Sequence, residues 1–132
     1  ADESKTLKKE KAMAAFRYIV KDVETSIKFY TESLGFSLDQ QFGPAMAIVS
    51  KGDVKLWLAG PVSSAGQPMP DGRKPESGGW NRFVLQVENL SDLITSLKAK
   101  GVHFRNEVTK GPGGSQILCE DPSGNPIELF QP

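Results

Sequence analysis

Glu128 is a carboxylate set into an apolar run. The C-terminal stretch DPSGNPIELFQP opens as a turn at Asp121 and continues as a strand, with the acid in the middle of it. An ionised acid on a core-facing strand is costly unless a metal ion, a cationic side chain or a ligand neutralises it. Imidazole and thiol chemistry are scarce: His103 is the single histidine and Cys119 the single cysteine. A thiol nucleophile needs a base beside it. Cys119 alternates with Ile117 along a strand, so an inert packed thiol is expected, and one cysteine forms no internal disulfide. The run KGPGG, Lys110 to Gly114, could bind an anion on its amides, but a glycine-rich hairpin loop accounts for it better. Asn89–Ser91 is a formal glycosylation sequon, and Asn89 as a helix cap is the simpler reading. No Walker loop, dinucleotide fingerprint, CxxC pair or Ser-His-Asp constellation occurs.

The elements that must hold these residues are written twice. In VKDVETSIKFYTESLGF (Val20 to Phe36) Asp22 suits an N-cap, Val23, Ile27, Tyr30 and Leu34 recur at helical spacing, and Gly35 suits a C-terminal cap. In VENLSDLITSLKAKGVHF (Val87 to Phe104) Asn89 takes the place of Asp22, Leu90, Ile94 and Leu97 repeat the apolar spacing, and Gly101 stops the helix. Each helix follows a β-like run, AAFRYIV or NRFVLQV. Each precedes three short strand candidates: Phe36–Gln41, Ala45–Ser50 and Val54–Ala59 in the first half, and His103–Val108, Ser115–Glu120 and Pro126–Gln131 in the second. The chain therefore reads β-α-β-β-β twice, at an offset of about 67 positions.

The expected organisation is a charged, aperiodic tail (1–13), a first module (14–59), a Pro/Gly-rich connection (60–79) and a second module (80–132). The fold class is α+β. Two modules that cannot each bury both helix and sheet faces curl their eight strands into an open, barrel-like sheet with a concave pocket. The connection is long for a compact domain, so a lid or partner-binding arm and a solvated linker are equally good readings of it. Sixteen basic residues balance 16 acidic ones over 132 residues. That gives no electrostatic case for a nucleic acid or an anionic membrane, and no apolar run approaches membrane-span length. An N-terminal Ala in place of Met fits initiator removal, an added sequence or a cleaved export signal. The cytoplasm is the expected location, with export open.

The segments VKDVETSIKFYTESLGF, NRFVLQVENL and EDPSGNPIELFQP give the chain a resemblance to the vicinal oxygen chelate superfamily of glyoxalase I, bleomycin-resistance proteins and extradiol dioxygenases. The likeness runs from Ala14 to Pro132 and speaks for the fold more than for the function. In enzymes of that family four inner-face side chains hold a divalent metal, one from the first and one from the last strand of each half. Carried over, those positions are Ala15, about Leu56, Arg82 and Glu128. Ala and Leu cannot coordinate, and Arg is cationic with no lone pair to offer. One carboxylate is too few for a usual site, so no metal and no other cofactor is expected.

The expected partner of Glu128 is Arg82, since an Arg–carboxylate pair survives partial burial. The pair either neutralises itself in an apolar cup or lies on the floor of a ligand pocket. Leu56 and Trp57, both pocket candidates, point to opposite faces; facing inward, Trp57 is a stacking platform for a flat ligand, and facing outward it is interface or ordinary packing. Trp80 and Asn81 would form the rim or anchor the start of the strand. Arg105 and Asn106 read as solvated strand residues. The function this implies is metal-free binding or sequestration of a small molecule, like the bleomycin-resistance branch. The alternatives are a glyoxalase- or dioxygenase-type enzyme with unusual ligands, such as Glu128 with His103 or Glu120, and acid–base catalysis by Glu128. A neighbouring Arg82 lowers the basicity that the last would need. The resemblance also implies a homodimer.

Overall fold

The computed structural model describes residues 14–132, so the expected 1–13 tail lies outside the described residues. Strands β1 (Phe16–Ile19), β2 (Ser37–Phe42), β3 (Met46–Lys51) and β4 (Val54–Ala59) form one sheet in the order β1-β4-β3-β2. Strands β5 (Val84–Gln86), β6 (Thr109–Gly111), β7 (Gly114–Glu120) and β8 (Pro126–Gln131) form a second in the order β5-β8-β7-β6. In each, the first strand runs parallel to the last and the other pairings are antiparallel. The eight strands thus form two four-stranded sheets rather than a closed barrel.

The helices begin where their caps predict. Asp22 accepts from the Thr25 amide and α1 follows at Val23–Lys28; Asn89 accepts from the Asp92 amide and α2 follows at Leu90–Ala99. α1 does not stay α-helical. It passes into a π-helical turn, Phe29–Ser33, which buries the adjacent Phe29 and Tyr30. α2 ends as a Schellman motif: Gly101 takes φ 81°, its amide donates to Lys98 and that of Val102 to Leu97. The connection contains one 3₁₀ turn, Ser64–Gly66. No described helix is long and apolar enough to cross a membrane.

One expected strand is corrected. His103–Val108 forms only a single bridge, Phe104 to Cys119. The Asn106 side chain then accepts the Leu118 amide, replacing the backbone partner a continued strand would offer, and regular pairing resumes at Thr109.

Both helices and one face of each sheet merge into a single core. It includes Tyr18, Tyr30, Leu56, Leu58, Phe83, Leu97, Ile117, Cys119, Ile127 and Leu129. Tyr18 ties the halves together, donating to the Pro126 carbonyl and accepting from the Phe83 amide, with its ring 5.6 Å from that of Phe83. Burial pushes the Tyr18 hydroxyl up to about 12 and the Cys119 thiol up to about 12. Burial, reinforced by the Asp121 carboxylate, raises Tyr30 as well. For all three groups the folded protein favours the neutral form, so their contribution is complete below their unfolded pKa values and is lost as pH rises through the folded ones. Stability should therefore decline between about pH 9 and 12. Tyrosinate absorbance at 295 nm is expected to show two tyrosines appearing together with loss of the far-ultraviolet circular dichroism. Normal titration of both near pH 10 in a still-folded chain would contradict this packing.

Candidate functional site

Strand register decides which side chains leave the core. Leu56 and Leu58 on β4 point into it, so Lys55 and Trp57 point to the opposite, open face. Arg17 on β1 lies directly across from Trp57, and Ile48 on β3 lies on its other side. In the second sheet Ile127 and Leu129 enter the core, so Glu128 faces out between Val84 on β5 and Leu118 on β7. Arg17 and Val84 hold equivalent places in the repeat, so Trp57 is the counterpart of Glu128. Leu56 is thereby corrected: it is fully buried among core side chains and lines no open face.

The expected pair is formed. Arg82 Nη2 donates to Glu128 Oε1 at 2.7 Å and Nε to the same oxygen at 3.1 Å, while Nη1 reaches the Trp80 carbonyl at 3.3 Å. The Glu128 side chain is 11% exposed and that of Arg82 29%. Both guanidinium donors converge on Oε1. Among the described residues nothing donates to Oε2, which is also no solvent-sealed orphan. The carboxylate therefore keeps one accepting oxygen turned to accessible space.

The Trp80 ring leaves this pair. It is 69% exposed and stacks on the guanidinium of Arg105, 4.7 Å from ring centroid to Cζ. Asn81 is exposed beside it. Arg105, read from sequence as a solvated strand residue, is instead a clamp. It pairs with Glu120 at 2.7 Å and donates to the carbonyls of Gly79 and Gly124. It thereby fastens the end of the connection to the β7–β8 turn, and no signal in the sequence marked it for that role.

On the first sheet, Ala14, Ala15, Arg17, Ile48, Lys55 and Trp57 enclose a hollow of about 510 Å³. Arg17 lies over the Trp57 indole, 5.0 Å from its centroid. His103 lines a separate hollow with Lys21 and Lys100. Glu128 is not part of it, and Glu120 is committed to Arg105.

The four positions at which the resemblance implies metal ligands hold Ala15, Trp57, Arg82 and Glu128. A methyl group offers no electron pair, an indole N–H only donates, and the guanidinium already occupies the carboxylate. This donor set does not fit a divalent ion. Neither His103 nor Glu120 is placed to complete it.

The sequence matches the family described as Glyoxalase/Bleomycin resistance protein/Dioxygenase superfamily over residues 12–129. It is 26% identical over 121 residues to the mitochondrial methylmalonyl-CoA epimerase of Bos taurus, covering 85% of this chain and 69% of the relative. It is 27% identical over 119 residues to a bleomycin resistance protein of Geobacillus stearothermophilus, covering 85% and 90%. Among solved structures, an antibiotic binding protein from Streptomyces sp. CB03234 superimposes with a TM-score of 0.70 at 28% identity, covering 94% of this chain and 98% of that one. With its duplicated βαβββ module and a match across nearly its whole length, the chain belongs to the glyoxalase/bleomycin resistance protein/dioxygenase superfamily.

Proposed function

We propose that this protein binds a small organic molecule on the open faces of its sheets, without metal-dependent chemistry, and that it does so as a two-fold homodimer. The observation that carries this reading is the guanidinium of Arg82 on Glu128, an ion pair standing where coordination would need a free carboxylate. The relatives named for bleomycin resistance and antibiotic binding support it. So does the shape of the chain. Both helices and one face of each sheet are spent on the shared core, leaving Trp57 and Val84, 36% and 47% exposed, on the open faces. A second copy laid across them would bring the first-sheet face of one chain over the second-sheet face of the other. That forms an isologous pair of clefts. Arg82, Glu128 and Trp57 are the ligand-contacting residues of this reading, with Trp80 and Asn81 at the rim.

The similarity to an epimerase supports a second reading, an isomerase or lyase using a metal held by non-standard ligands. Elemental analysis of the purified protein separates the two. Sedimentation is expected to give a dimer, and inductively coupled plasma mass spectrometry well under one zinc, nickel, iron, cobalt or manganese per chain. A stoichiometric transition metal that survives dialysis overturns the metal-free reading.

A further inference from the structure

We infer that the ligand is a planar aromatic anion, a carboxylate or a phenolate of a fused-ring compound, and that the first-sheet hollow selects it. This rests on the proposed small-molecule function and names the chemical class for the same cleft. The hollow has an aromatic wall in Trp57 and a flat cation, Arg17, lying over that wall. A second cation, Lys55, borders it. Ala14, Ala15 and Ile48 supply the rest of the lining, so the room beside the indole is apolar.

Charge bookkeeping across the two faces gives the sign. Arg82 and Glu128 cancel one another. Among the described residues neither Arg17 nor Lys55 enters an ion pair. The nearby carboxylates line none of the hollow: Asp53 lies in the turn two residues before Lys55, and Asp39 accepts the Ser50 hydroxyl at 3.0 Å. Two cations that the described residues leave uncompensated, beside an aromatic surface, favour a ligand that brings both a π face and negative charge. The guanidinium plane can stack on the ring system while the ammonium meets the anionic group as a point charge. A cationic guest would meet like charge on this face. The apolar lining favours an anion that also brings hydrophobic area over a small, strongly hydrated one such as inorganic phosphate.

The test is calorimetric titration of the full chain with three probes that share one ring system: anthraquinone-2-carboxylate, the neutral anthraquinone-2-carboxamide, and a trimethylammonium-methyl anthraquinone. The carboxylate is expected to bind about ten-fold or more tightly than the amide, and the cation more weakly than either. Lys55→Gln should erode the carboxylate's advantage several-fold while changing the amide little, whereas Arg17→Gln, which also removes the stacking guanidinium, should weaken both, with folding checked by circular dichroism. Raising the salt from about 0.05 M to 0.5 M should weaken the carboxylate alone, a reading on the unmutated protein. Equal binding of carboxylate and amide, or preference for the cation, overturns the anionic class while leaving the binding function standing. Absence of binding by all three probes at millimolar concentration overturns both.

Discussion

Asp121→Ala is expected to lower the melting temperature by about 10 °C, a loss of about 3 kcal/mol for a chain of this size. The carboxylate is 4% exposed and accepts four hydrogen bonds. Oδ1 takes the amides of Ser123 and Asn125 at 2.8 and 2.9 Å. Oδ2 takes the Tyr30 hydroxyl at 2.8 Å and the Asn125 side chain at 3.0 Å. The turn thus organised holds other parts of the molecule. Asn125 donates to the Ile19 carbonyl and accepts the Gly78 amide, and the Ser123 hydroxyl accepts the Lys21 amide. Truncation strands several buried donors at once, including a hydroxyl on the fully buried Tyr30. Loss of buried partners costs more than the net worth of the bonds themselves. Tyr30→Phe removes one bond and should cost about 1 kcal/mol. Asp121→Asn should fall between the two, since it keeps one oxygen and turns an amide toward the Asn125 donor. Urea unfolding measures all three, and an Asp121→Ala protein as stable as the parent would show that this turn does not hold the halves together.

The DPSGN turn was legible as a turn from its residues, because Pro, Gly and Asn act locally. What it fastens was not, since Tyr30, Ile19 and Gly78 reach it only through tertiary packing. The same division runs through the chain. Asp22 and Asn89 announce the helix starts because a cap is a contact between near neighbours. The doubled module announces the sheets because one unit alone leaves a face uncovered. Leu56 misled because Leu56 to Ala59 are all apolar, which leaves Lys55 as the single polar mark of the outward face. Strand register in the structure supplies the answer, since the pairing of Val84 with Glu128 mirrors that of Arg17 with Trp57. The π turn after Lys28 left no trace, because a π turn and an α-helix share composition. Arg105 was missed where Glu128 was not. It stands in a polar stretch where a charge needs no explanation, yet it holds Gly79, Gly124 and Glu120 together.

The chemistry of Arg82 and Glu128 leads to the second large effect. Arg82→Met should cost about 2–3 kcal/mol, because it leaves a nearly buried carboxylate with no cation. Glu128→Leu should cost less, about 1 kcal/mol, because the more exposed guanidinium retains the Trp80 carbonyl and reaches water. The double substitution should return to within about 1 kcal/mol of the parent or exceed it, since two apolar residues of similar size replace two desolvated charges. A coupling of about 2 kcal/mol in the resulting cycle identifies the pair as mutually neutralising. The ligand then separates structure from function. A double variant that folds as well as the parent but binds the planar carboxylate several-fold more weakly places the Arg82 donors in the cleft. Unchanged affinity in that variant confines recognition to Arg17, Lys55 and Trp57. If both single variants prove neutral, the ion pair holds neither the strand edge nor the charge balance, and the case for it as the replacement of a metal centre fails.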